Sequence, residues 1–241
     1  MRAFSFRYCV LLLFIYCVPF AGVQCLAEPG NPTEIQSILV FGDSLSAGYG
    51  IAVENAWPAL LQKRLNLRKS ITVPPASGHP QPARIAKKAT LQKAYRNYNV
   101  INASISGETT AGGYTRFART LQQTQPSIVI LELGANDGLR GLPLQQAEQN
   151  LSRMLQQAKA AKARVLLVGV SMPPNLDAYA EDFARMYARV AKRANVPLVA
   201  SLLAKVVGSR DNFQSDNLHP TAAAQPLLEE TIWERLEPLL D

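Results

Sequence analysis

Two histidines occur in the 241 residues, and only one has neighbours suited to acid–base chemistry. His79 lies between Gly78 and Pro80 in a proline-rich interval, whereas His219 follows Asp216 by three residues in Asp216-Asn217-Leu218-His219-Pro220. A carboxylate at that spacing can reach the imidazole Nδ1 and hold the tautomer that leaves Nε2 free as a base. Such a base serves a nucleophile, and Ser44 in Gly42-Asp43-Ser44-Leu45-Ser46 is the candidate. Acyl transfer also requires donors for a developing oxyanion. The backbone N–H of Ser44, the backbone N–H of Gly107 and the side-chain amide of Asn136 are the candidates. Each residue alone has an ordinary alternative: a turn glycine, a turn asparagine, an aspartate cap, a serine hydroxyl bonded to backbone. Together they supply every part that acyl-bond hydrolysis needs, with Ser44, Asp216 and His219 catalytic and Ser44, Gly107 and Asn136 as the oxyanion hole.

The elements that must position these residues are legible in the hydropathy pattern. Five short apolar runs, at 37–41, 98–102, 127–133, 164–170 and 196–200, lack alternation, as strands covered on both faces do. Amphipathic helical stretches at 55–68, 112–123, 143–162 and 178–194 separate them, and another follows at 222–239. Alternation of this kind predicts a five-stranded parallel sheet with helices on both faces, an α/β architecture. Ligands bind such sheets at the carboxyl ends of the strands, near a switch in strand order. Ser44, Gly107 and Asn136 fall in the loops just after the first three strands, and Asp216 and His219 lie ahead of the last helix. The interval at about 70–95, with Pro74, Pro75, Gly78, Pro80 and Pro82, interrupts the rhythm and reads as an exposed insertion.

Composition narrows the class. At 48% hydrophobic and 18% charged, the chain can bury a sizeable core as one domain. Arg2 and Arg7 flank a basic start, residues 8–27 carry no charge, and Pro19, Gly22 and Gln24 interrupt the apolar run after about ten residues. That layout predicts a signal peptide over 1–27 with cleavage after Ala27, an uncleaved N-terminal anchor being the alternative. A lipoprotein reading through Cys25 is disfavoured by Gln24 before it. Cys9, Cys17 and Cys25 all lie in this segment, so the domain at 28–241 contains no cysteine. Disulfides, thiolate nucleophiles and thiolate metal sites are thereby excluded from it. No metal or cofactor is expected.

Net charge is +7 for the whole chain and +5 once the two arginines of 1–27 are removed. Between Glu54 and Glu108 there is no acid, while Lys63, Arg64, Arg68, Lys69, Arg84, Lys87, Lys88, Lys93 and Arg96 are all positive. A solvated helix face with a loop explains most such stretches. If the basic 63–96 stretch has a role, weak contact with an anionic lipid surface fits better than nucleic acid, because the aromatic and glycine partners of a nucleic-acid element are sparse.

The motifs resemble those of the GDSL or SGNH hydrolases. Gly42-Asp43-Ser44-Leu45-Ser46, Gly107 within Asn-Ala-Ser-Ile-Ser-Gly-Glu-Thr, Asn136 within Gly-Ala-Asn-Asp, and Asp216-x-x-His219-Pro220 match its four blocks in order. Gly-Asp-Ser-Leu-Ser-Ala-Gly-Tyr-Gly at 42–50 and Asn-Asp-Gly-Leu-Arg-Gly at 136–141 are similar to the bacterial thioesterase I, arylesterase and lysophospholipase subgroup. The resemblance implies a flavodoxin-like three-layer α/β/α sandwich, a shallow solvent-open site without metal, and the same assignment of Ser44, Gly107, Asn136, Asp216 and His219. It implies a serine esterase acting on small-molecule esters and thioesters, while the leader expected at 1–27 makes the protein periplasmic or secreted, and a monomer is expected. Leu45, Ile105, Leu139 and Leu142 are candidates for an acyl path, or ordinary core and surface positions. Two departures stand out: Ala135 replaces a glycine, which would add a methyl beside the oxyanion hole, and the 70–95 interval is long. A carbohydrate O-acetyl esterase on the same fold is the alternative. So is a non-catalytic flavodoxin-like ligand-binding protein, although Gly42, Gly48 and Gly50 lack dinucleotide-loop spacing.

Overall fold

The computed structural model describes residues 35–71, 97–172 and 177–240. The leader expected at 1–27, nearly all of the 70–95 interval with His79, and Pro173 and Pro174 lie outside these residues. Five parallel strands form one sheet: β1 (Gln36–Gly42), β2 (Tyr98–Asn102), β3 (Ile128–Glu132), β4 (Arg164–Val168) and β5 (Leu198–Val199). Their order is β2-β1-β3-β4-β5, with Leu39 paired to Ile101 on one side and Val129 on the other. The chain leaves β1 in one direction to reach β2 and returns past it to reach β3. The switch in strand order therefore lies at β1, where the loops carrying Ser44, Gly107 and Asn136 open together.

The helices in chain order are α1 (Ser44–Ala47), α2 (Trp57–Ile71), α3 (Thr110–Thr124), α4 (Ala135–Leu139), α5 (Leu144–Ala160), α6 (Asp177–Ala194) and α7 (Gln225–Leu236). The helices α3, α5 and α6 pack side by side, and α2 packs against α7, giving the two outer layers of the sandwich. Because both sheet faces are covered, Ile38–Phe41 and Ile128–Leu131 are fully buried, which accounts for apolar runs without alternation. The five expected strands and five longer helices are all present. Two differences follow from length. α1 and α4 span four and five residues, too few for a helical period to register. β5 is confined to Leu198–Val199 because it pairs at the sheet edge with Leu167 and Val168 only.

The turn out of β3 shows why this sequence places Asn136 where it does. Gly134 caps α4 at φ 124°, a conformation that disfavours an L side chain, and a Cβ there would overlap the Tyr187 hydroxyl. That hydroxyl is buried and donates to the Leu133 carbonyl at 2.9 Å. Asp137, also buried, accepts from the Thr110 N–H at 2.8 Å and the Thr110 hydroxyl at 2.6 Å, fastening α4 to the start of α3. Asn150 of α5 donates to the same hydroxyl at 3.1 Å. Gly134→Ala is accordingly expected to lower unfolding free energy by about 2 kcal/mol, from backbone strain and the displaced tyrosine. Urea denaturation checks this; a loss under about 0.5 kcal/mol would contradict it.

Candidate active site

The nucleophile candidate is delivered by the abrupt turn from β1 into α1. Asp43 caps that single turn, its Oδ1 accepting the Leu45 N–H at 3.0 Å, and left-handed Gly48 ends it. Ser44 Oγ lies 2.8 Å from His219 Nε2, and His219 Nδ1 lies 2.6 Å from Asp216 Oδ2. The Asp216 Oδ1 atom accepts the N–H groups of Leu218 at 2.9 Å and His219 at 3.0 Å. These backbone donors, His219 first, together with the imidazole, hold the Asp216 carboxyl down at about 2, so it is ionised throughout the neutral range. Asn217 adopts φ 60°, which closes the tight loop between carboxylate and imidazole. The ring of Tyr49 lies 4.4 Å from the His219 ring, tilted by 37°.

The donor side is built from the loops after β2 and β3. The first is fixed to β1 by the Ile105 N–H donating to the Gly42 carbonyl at 3.0 Å. Gly107 takes φ 79° at its tip, and the exposed Arg140 guanidinium donates to the Gly107 carbonyl at 2.9 Å. Among the described residues, the N–H groups of Ser44 and Gly107 donate to no protein acceptor. The Asn136 amide nitrogen donates to the Glu108 carbonyl at 3.0 Å and to Asp43 Oδ2 at 3.2 Å. The amide of this candidate donor is thus engaged by the protein in the free state, and an oxyanion would have to displace one of these two acceptors to use it. The Glu108 side chain is held by Arg116 of α3, whose guanidinium also lies over Phe41.

Beside Ser44 opens a largely apolar cleft of about 380 Å³, within the size range of small-molecule sites. Leu45, Val170, Met172, Leu203 and Phe213 line it, with Leu139, Val207 and Leu218 exposed at its rim. Of the four apolar residues considered for an acyl path, Leu45 and Leu139 line the cleft. Ile105 and Leu142 are exposed outside it. Ala135 begins α4 and contributes to the cleft wall next to Asn136, without a left-handed backbone at that residue. Among the described residues no group of three His, Cys, Asp or Glu side chains could hold a metal ion, and no helix is long and apolar enough to cross a membrane.

Against the turn that carries Ser44 lies a feature that sequence reasoning missed, a pair of buried carboxyl groups. Glu132, the last residue of β3, accepts from the Ser46 hydroxyl at 2.6 Å and from the Asp43 N–H at 3.3 Å. Gly42 leaves the space that this carboxyl fills. Burial first, and then the neighbouring charge of Asp43, push the Glu132 carboxyl well above the usual carboxylate range. Burial also raises Asp43, to about 6, against the opposing donation from Leu45 N–H and the Asn136 amide. Groups raised in this way stabilise the fold below their unfolded values, and that contribution is lost as pH rises through the folded ones. Glu132→Gln keeps an oxygen acceptor for Ser46 and Asp43 yet never ionises. Its melting temperature is expected to match the wild type near pH 5 and exceed it increasingly toward pH 9; a variant less stable than wild type at pH 9 would contradict the assignment.

Residues 40–226 match the GDSL-like Lipase/Acylhydrolase family. The chain is 42% identical over 221 residues to Esterase TesA of Pseudomonas aeruginosa, covering 91% of this chain and 97% of that one. It is 34% identical over 237 residues to Thioesterase 1/protease 1/lysophospholipase L1 of Escherichia coli, covering 98% of this chain and 95% of that one. A crystal structure of TesA superposes with a TM-score of 0.71 at 42% identity, over 85% of this chain and all of that one. The fold expected from the strand and helix alternation is thus the fold of these relatives, and the chain belongs to the GDSL-like lipase/acylhydrolase family of ester-bond hydrolases.

Proposed function

We propose that the protein hydrolyses carboxylic esters and thioesters through an acyl-enzyme formed on Ser44. His219 Nε2 takes the Ser44 proton as the hydroxyl attacks the acyl carbon, and returns it to the departing alcohol or thiol. Asp216 holds the imidazole tautomer and stabilises the cation that forms. The N–H groups of Ser44 and Gly107 and the amide of Asn136 receive the oxyanion. A water deprotonated by His219 then attacks the acyl carbon, the bond to Ser44 Oγ breaks, His219 returns the proton to that oxygen, and the acid leaves. The observation that carries this reading is the unbroken chain of contacts from Asp216 through His219 to Ser44, at 2.6 and 2.8 Å.

The apolar cleft beside Ser44 suits an aliphatic acyl chain, as in lysophospholipids or acyl thioesters. An acetyl group would leave most of it unfilled, which argues against a carbohydrate O-acetyl esterase. The apolar, uncharged segment before Ala27 supports export to the periplasm or beyond, with 28–241 as a monomeric hydrolase domain. The basic 63–96 stretch is suited to weak contact with anionic lipid at an envelope surface.

Nitrophenyl esters of graded chain length test the assignment. Ser44→Ala is expected to lower kcat by about 10⁴-fold or more, and Asn136→Ala by about 10²–10³-fold with little change in KM. Wild-type kcat/KM should rise from acetyl toward longer chains. Retained turnover by Ser44→Ala would overturn the nucleophile, and a preference for acetyl would overturn the role of the cleft.

A further inference from the structure

His219 and Asp216 belong to no sheet strand. They sit on the loop 212–221, whose residues 215–218 are all exposed and which is closed on itself by a narrow ladder. The Gln214 N–H donates to the His219 carbonyl at 2.8 Å, the Thr221 N–H to the Asn212 carbonyl at 2.8 Å, and Phe213 and Pro220 form an antiparallel bridge. That ladder fixes the loop's shape, but it does not fix the loop to the turn that carries Ser44. A separate contact does. Gln214 Nε2 donates to the Tyr49 carbonyl at 2.8 Å and to the Pro220 carbonyl at 3.1 Å, so one amide spans the nucleophile turn and the histidine loop. Both of its N–H groups are used.

The sequence makes room for this amide. Gly50 has φ 73°, and a Cβ on it would overlap Gln214 Oε1. Tyr49 contributes twice, its carbonyl to Gln214 and its ring to the face of His219, 4.4 Å away. Tyr49 is half-exposed, at 51%, so burial alone does not explain where its ring lies. An aromatic face beside the imidazole also favours the positive charge that develops there when it takes a proton.

We infer that Gln214 and Tyr49 form a clasp that holds the His219 imidazole on Ser44, and that both are positioning residues for the hydrolytic reaction. The inference rests on the reading of Ser44 and His219 as nucleophile and base. A misplacement of reacting groups by about 1 Å can cost about 10²-fold in rate, which is the scale on which the clasp acts. It works through His219 and not through substrate, so its loss should appear in kcat and leave KM alone.

Gln214→Glu is the informative substitution, because it keeps the shape of the side chain and removes the donors. At pH 8 its carboxylate faces two carbonyl oxygens, which disfavour the charge and raise its pKa above the usual carboxylate range, so that at pH 5 a protonated carboxyl regains one donor. With a short nitrophenyl ester and the full chain, kcat of Gln214→Glu is expected to fall about 10–100-fold below wild type at pH 8. KM should stay within about twofold. The ratio to wild type should recover severalfold at pH 5 as the introduced carboxyl becomes protonated. Tyr49→Leu, which keeps the carbonyl, should lose activity by a smaller factor at every pH without that recovery. A Gln214→Glu kcat within about twofold of wild type at pH 8 would overturn the clasp, as would a loss expressed in KM or a ratio independent of pH. Ser44→Ala, assayed alongside, separates the failures. An active Ser44→Ala overturns the underlying reading, whereas an inactive Ser44→Ala with an unimpaired Gln214→Glu overturns the clasp alone.

Discussion

A hydrogen bond of 2.8 Å between residues 175 positions apart, Ser44 and His219, is the constraint to which the rest of the structure answers. Neither partner comes from a long rigid element. Ser44 opens a single helical turn, and His219 sits near the tip of an irregular loop. Their meeting depends on the strand order, which sets the end of β1 between β2 and β3, whose loops can flank it. It depends equally on local devices: the Asp43 cap, the glycines at 42, 48 and 50, and the narrow ladder that shapes 212–221. The sheet sets position to within a loop length, and hydrogen bonds set it within reach of chemistry.

The same neighbourhood holds charge that a stable core would omit. Asp43 and Glu132 are both essentially fully buried, at the ends of adjacent strands otherwise packed with Ile, Leu, Val and Phe. Burial drives both upward, and on Glu132 the charge of Asp43 adds to it. Their partners show what they position: Ser46 and the backbone of Asp43 on Glu132, and Leu45 and Asn136 on Asp43. The arrangement ties the turn of Ser44 to the amide of Asn136 at a cost in stability. Asp216, by contrast, is partly exposed and strongly ionised, because backbone N–H groups and the imidazole converge on it. Similar side chains thus serve opposite ends of the site, one pair pushed upward by burial and one carboxylate kept charged by donors.

Much of this was legible in the sequence, and what was not has identifiable causes. Strands buried on both faces announce themselves as apolar runs, so the architecture followed from periodicity. The candidates Ser44, Gly107 and Asn136 were legible as short polar motifs just past those runs, and Asp216 and His219 as another ahead of the last helix; the structure brings all five to one end of the sheet. Glu132 was hidden, since a lone acid closing a strand reads as the residue where the strand meets solvent. Asp137 and Gln214 were hidden for a different reason: their importance lies in which distant backbone atoms they reach, Thr110 in one case and Tyr49 in the other. The engagement of Asn136 by Asp43 and Glu108 likewise depends on tertiary distances that no spacing encodes.

The most direct measurement is a crystal structure of the protein inactivated by an alkyl phosphonate, whose tetrahedral phosphorus mimics the acylation intermediate. The expected result is a covalent bond from phosphorus to Ser44 Oγ, with the alkyl chain in the cleft lined by Val170, Met172 and Phe213. The phosphoryl oxygen should lie within hydrogen-bond reach of the Ser44 and Gly107 N–H groups and of an Asn136 amide that has released one of its protein acceptors. Phosphorus attached to any other residue, or a Ser44 adduct whose oxygen points away from Gly107 and Asn136, would contradict the catalytic arrangement.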